Sequence, residues 1–80
     1  MADERYFASV QYREGMELTN NELNVLRNLS SMYKGSIYEE ASNAQARLLA
    51  FEFPSKEQAE GFKKSSETLE KILQVRIGKL

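Results

Sequence analysis

The chain contains no cysteine, no histidine and no tryptophan, and only one proline and one aspartate among its 80 residues. Without cysteine there is no disulfide, no thiolate nucleophile and no thiolate metal ligand. Without histidine there is no imidazole base for a catalytic triad, and the usual zinc donor sets cannot be assembled. Carboxylates could still hold Mg²⁺ or Ca²⁺. However, the lone aspartate is Asp3, and no loop alternates Asp and Asn at calcium-ligand spacing. The expectation is a non-enzymatic chain with no metal and no other cofactor.

Long apolar runs and charge of one sign are missing too. Nothing approaches the ~20 apolar residues that cross a bilayer. Residues 1–5 are acidic and lack the apolar stretch of a signal peptide, so the expected location is the cytoplasm, away from any membrane. Residues 1–55 carry five basic and eight acidic side chains, and residues 56–80 carry six and four, for a formal net charge of −1. That gradient supplies no strong field for gripping phosphates. A hydrophobic share of 41% and a charged share of 29% describe a folded chain and not a disordered one. A length of 80 residues makes one domain, spanning 1–80, with a core too thin to enclose a deep pocket.

What is present is a helix-start signal used twice. Thr19-Asn20-Asn21-Glu22 and Ser55-Lys56-Glu57-Gln58 both read as capping boxes, in which a hydroxyl accepts from the backbone N–H three residues on and the Glu or Gln reaches back. Leu18 and Leu23 flank the first as a hydrophobic staple. Each signal follows a strand-like run. Residues 5–13 alternate, with Tyr6, Ala8, Val10 and Tyr12 on one face and Arg5, Phe7, Ser9, Gln11 and Arg13 on the other. A helix over 20–33 follows, with Leu23, Leu26, Leu29 and Tyr33 at helical spacing and Val25 and Met32 widening the stripe. Lys34-Gly35 is its stop, because glycine tolerates the left-handed conformation past a helix end.

Residues 36–41 predict a weaker strand, with Ile37 inward and Tyr38 outward. Ser42-Asn43-Ala44-Gln45 then turns the chain into a strand over 47–53, placing Leu49, Phe51 and Phe53 inward and Leu48, Ala50 and Glu52 outward. Pro54 ends it. The second helix is expected over 56–66, with Ala59, Phe62 and Ser66 as its inner stripe and Gly61 weakening it by up to ~1 kcal/mol. The last strand is expected over 72–77, with Leu73, Val75 and Ile77 inward.

Strand–helix–strand–strand–helix–strand, built from two right-handed crossovers joined by a hairpin, gives an α+β sandwich. This is the ferredoxin-like βαββαβ arrangement, a four-stranded antiparallel sheet in the order 4-1-3-2 with both helices on one face. The other face is left open. Phe7, Tyr38, Leu48 and Ile72 would converge on it, with Arg5 and Arg76 among the charges at its rim. Apolar patches rimmed by charge mark interfaces.

The segment FEFPSKEQAEGF (residues 51–62) resembles the junction of third strand and second helix in RNA-recognition-motif domains. The helix start at Thr19 to Leu23 also resembles that family, and the spacing agrees over nearly the whole chain. The resemblance implies this fold and a base-stacking aromatic on the first strand, a position that Phe7 fills. It also implies two further stacking rings on the third strand, where this chain has Leu48 and Ala50. The basic residue and glycine that open that strand motif are replaced by Ala46 and Arg47. The expected function is a protein–protein interaction module: a small regulator, a subunit or a phage-type inhibitor. It would bind another protein, or a second copy of itself as a homodimer, through the open face or an edge strand. The second reading is a single-stranded RNA binder using Phe7, Arg5 and Arg76.

Overall fold

In the computed structural model, which describes residues 5–43 and 45–79, seven short elements follow one another. They are β1 (Tyr6–Tyr12), α1 (Asn20–Met32), β2 (Ser36–Ile37), a 3₁₀ turn (Glu39–Ala41), β3 (Leu48–Phe53), α2 (Lys56–Ser66) and β4 (Ile72–Lys79). Asp3 and Ala44, singled out above, lie outside the described residues. The strands form one antiparallel sheet in the order β2-β3-β1-β4, which is the expected 4-1-3-2 read from the other edge. The fold is ferredoxin-like.

Both helices begin where the hydroxyls place them. Thr19 Oγ1 accepts from the Glu22 N–H at 3.2 Å, and Glu22 Oε1 accepts from the Thr19 N–H at 2.8 Å, closing the first capping box. At α2 only half of the box forms. Ser55 Oγ accepts from the Gln58 N–H at 3.3 Å, while the Gln58 side chain meets the Ser55 hydroxyl and not its backbone N–H.

The inner face of the sheet supplies Ala8 and Val10 from β1, Phe51 and Phe53 from β3, and Ile72 and Val75 from β4. Leu26 of α1 and Ala59 and Phe62 of α2 close over them. The Phe62 ring lies 5.0 Å from Phe51 and 5.1 Å from Phe53, both tilted. Such pairs add about 0.5–1.5 kcal/mol each beyond the area they bury. Two serines are also buried, and both are satisfied within their own helix. Ser30 Oγ donates to the Arg27 carbonyl at 2.7 Å, and Ser66 Oγ donates to the Phe62 carbonyl at 2.8 Å.

Three local expectations are corrected. Val25 and Met32 do not widen the core stripe of α1; they are 44% and 74% exposed, because α1 turns only its Leu26–Ser30 side inward. β2 is two residues long, not six, since the chain turns into the 3₁₀ segment after Tyr38. The left-handed residue after α1 is Lys34 (φ 62°), not Gly35. Gly35 N–H donates to the Ser30 carbonyl at 2.7 Å and Lys34 N–H to the Ser31 carbonyl at 3.0 Å, which is a Schellman motif. Gly35 is required for a different reason. A Cβ there would sit 2.3 Å from the Phe53 ring and 2.8 Å from the Glu52 carbonyl oxygen. Gly61 serves a similar close contact, leaving room for the Tyr33 ring, whose hydroxyl is 3.0 Å from Ser65 Oγ.

Lys71, just ahead of β4, ties down the opposite end of the sandwich. Its Nζ donates to Glu22 Oε1 at 2.8 Å and to the Glu17 carbonyl at 3.0 Å. Arg13 Nε adds a bond to the Glu70 carbonyl at 3.1 Å. The Lys71 ammonium, helped by the Thr19 N–H, holds the Glu22 carboxyl down from an ordinary 4.5 to about 2.

Two predictions follow from these contacts. Gly35→Ala should lower stability by about 1–3 kcal/mol, read as a lower urea midpoint with an unchanged slope, because the Phe53 ring and a backbone carbonyl must both move. An unchanged midpoint would show that the close approach is not needed. For Glu22, a depressed pKa means that its stabilisation is complete above about 4.5 and is lost as pH falls through about 2. Glu22→Gln should therefore unfold at lower urea than wild type near neutral pH, with the gap closing toward pH 2. A gap of constant size across that range would mean that the charge plays no part.

Candidate functional site

Strand alternation sets which side chains leave the core. On the face away from the helices, three rows cross the central strands. Phe7 lies between Glu52 and Gly78, Ser9 between Ala50 and Arg76, and Gln11 between Leu48 and Gln74. Each row is less apolar than the sequence pattern promised. Gln74 Nε2 donates to Gln11 Oε1 at 2.9 Å, and a shallow groove of about 260 Å³ lies between Ser9, Gln11, Leu48, Gln74 and Arg76.

Phe7 is half-buried. Its ring packs across Gly78, where a Cβ would fall 2.4 Å from the ring. A glycine inside a strand marks such a close approach, and this was the available sequence signal. Leu48 is also half-buried. Ala50 is fully buried although it points away from the core, because the segment after β2 folds against the edge of β3. There the Tyr38 N–H donates to the Ala50 carbonyl at 2.7 Å, Ser42 Oγ accepts from the Ala50 N–H at 3.0 Å, and the same hydroxyl donates to the Tyr38 carbonyl at 2.9 Å. Ser42 thus completes a strand ladder that β2 is too short to supply. Tyr38 sits half-buried at this corner and belongs to no strand. Arg5 is exposed and stands 3.7 Å from Glu52, and Arg76 is exposed midway along β4, beside Ser9.

Ile72 is not on this face. It is 4% exposed and belongs to the core. The cause is a bulge: Gln11 pairs with Gln74, but the next residue, Tyr12, pairs with Ile72, so Leu73 is an extra residue. One extra residue reverses the parity of everything before it. Leu73, expected inward, is instead 50% exposed. The other large apolar side chains found exposed among the described residues are Met16, Val25 and Met32, none of them on a strand.

A second hollow, about 600 Å³, opens beside α1 between Tyr12, Leu18, Leu23, Leu49 and Arg47. Arg47 adopts φ 55° at the entry to β3, and its Nε is buried with no hydrogen-bond partner among the described residues. Glu17 lines the same hollow. Among the described residues no group of three or more acidic, His or Cys side chains is placed to hold a metal ion, and no helix is long and apolar enough to cross a membrane.

The sequence matches no protein-family model and no curated protein.

Ser42→Ala tests how the corner of the face is held. It leaves the buried Ala50 N–H without an acceptor, which costs about 1–3 kcal/mol. The expected result is a lower urea midpoint together with faster amide exchange at Ala50. Unchanged exchange would show that another acceptor takes over.

Proposed function

We propose that this chain is a non-enzymatic protein–protein interaction module that docks its partner on the uncovered sheet face. The observation that supports this reading is the make-up of that face. The apolar surfaces of Phe7 and Leu48 are mounted on β1 and β3, the two central strands, and are bordered by Ser9, Gln11, Gln74 and Arg76. A mixed surface of this kind, with an aromatic and an arginine among hydrogen-bonding groups, is what non-obligate interfaces are made of. Central strands hold their side chains in fixed positions, so little order is lost on docking. The reading covers a small cytoplasmic regulator, a subunit or an inhibitor of the phage type, with another protein as partner, or a second copy in a homodimer.

A single-stranded RNA ligand is the second reading, favoured by the placement of Phe7 with Arg5 and Arg76 on one face. The two separate experimentally. Tagged wild type and Phe7→Glu are compared for what they capture from lysate, with and without nuclease and over a range of salt. Arg76→Glu serves as a second variant that leaves the packing over Gly78 untouched. Protein capture that survives nuclease, responds weakly to salt and is lost in both folded variants is the expected outcome. Capture of RNA, weakening steeply as salt rises, would replace the protein reading with the RNA one. Retention of every partner by both variants would remove the sheet face from consideration.

A further inference from the structure

The two edges of the sheet are built differently. At one edge β2 is two residues long and gives way to the 3₁₀ turn, which blunts it. At the other edge β4 runs for eight residues, and no strand lies beside its outer side among the described residues. Beyond the bulge at Leu73, residues 74–79 pair in regular register with residues 6–11 of β1. Over residues 74–78 that leaves about 16 Å of straight ladder whose outer hydrogen-bonding groups face away from the sheet.

A groove of about 690 Å³ lies between this edge and α2. Val75 and Ile77 line it as the margin of the core, and one flank of α2 forms its wall with Lys56, Glu60, Lys63, Lys64 and Glu67. Lys56 and Lys63 stand 4.0 Å from Glu60 and Glu67. Lys64, on the helix wall, and Arg76, which projects beside Ser9 to the uncovered face, have no ion pair among the described residues, so the β4 edge has one such cation on each side. Arg76 also lines the groove on the uncovered face, so it stands where the two surfaces meet.

We infer that the β4 edge takes an extended acidic segment of a partner protein by strand addition, with apolar side chains beside Ile77 on the helix side and carboxylates against Arg76 on the opposite side. The inference deepens the interaction-module reading and rests on it. It assigns the partner's chemistry: alternate apolar residues on one side, acidic residues around them. A second copy of this chain is a poorer occupant, since pairing β4 with its own copy would bring the same cationic rims together, and like charges across an interface are unfavourable.

The test uses a fluorescein-labelled peptide of about eight residues alternating valine with glutamate, and a control peptide with lysine in place of each glutamate. Fluorescence polarisation should show saturable binding of the acidic peptide. The lysine control should bind at least about tenfold more weakly, as should the acidic peptide to Arg76→Glu, a substitution at an exposed position. Amide exchange in residues 73–79 should slow when the acidic peptide is bound. No binding to wild type, equal binding to the charge-reversed protein, or protection confined to residues 7–11 and 48–52 would each overturn the edge assignment. So would a concentration-dependent dimer in sedimentation that protects β4 without peptide. Phe7→Glu is expected to bind the peptide normally. Failure of the peptide therefore counts against the edge alone, while the module reading stands or falls in the capture experiment.

Discussion

The packing of Phe62 against Phe51 and Phe53 joins α2 to β3, and most of the architecture depends on that junction. All three rings are essentially inaccessible to water. Truncating one such aromatic typically costs about 3–5 kcal/mol, a large share of the 5–15 kcal/mol that holds a small domain together. With β3 fixed under α2, its alternation assigns Phe51 and Phe53 to the core and Leu48, Ala50 and Glu52 to the opposite side. β1 and β4 follow through the register. The identity of the uncovered face is therefore a consequence of which residues of β3 are aromatic.

The same junction explains why small residues are needed at its edges. The Phe53 ring reaches the backbone at Gly35, and the Tyr33 ring reaches it at Gly61, so the loop after α1 and the middle of α2 can both come close. In α2 the intrinsic helix penalty of Gly61 is about 1 kcal/mol, and the Tyr33 contact with its hydroxyl partner Ser65 offsets it. On the far side Gly78 does for Phe7 what Gly35 does for Phe53. A face built this way presents its aromatic ring pressed against the sheet, with one side of the ring already covered. That limits how much new apolar area a partner can bury there and gives greater weight to the surrounding Gln11, Gln74 and Arg76.

Much of this was legible from residue order. Both helix starts, the extent of α2, the strand order and the faces of β1 and β3 follow from capping hydroxyls and strict alternation, signals that are local and strong. The signal failed where one residue more or less changes parity or length. The bulge at Leu73 sent Ile72 into the core, and nothing in ILQVRIGK distinguishes a regular strand from one with an extra residue at its start. β2 is shorter than the pattern of residues 36–41 implies because the chain turns into the 3₁₀ segment after Tyr38, and the Ser42 hydroxyl that replaces a strand ladder acts from five residues beyond Ile37. The uncovered face was consequently expected to be more apolar than it is. Two of its four expected apolar residues are displaced, Tyr38 to a corner and Ile72 to the interior. The charged groove beside β4 was invisible to pattern reading, since it needs α2 and an edge strand to be neighbours.

On the proposed function, the magnitudes weigh toward a protein and away from RNA as the occupant of this surface. One stacked base contributes about 1–3 kcal/mol, and Phe7 is the one aromatic on the central strands of the uncovered face. Arg5 already faces Glu52 at 3.7 Å, which leaves Arg76 as the cation available to a phosphate there. A ring and a cation together fall near the ~4 kcal/mol that corresponds to millimolar affinity. The proposed partner strand on β4 would draw on different terms: main-chain hydrogen bonds along about 16 Å of ladder, apolar contact beside Ile77, and the Arg76 charge. No single-stranded nucleic acid can supply the main-chain ladder, so the proposed edge site would discriminate between the two classes of partner more sharply than the face would.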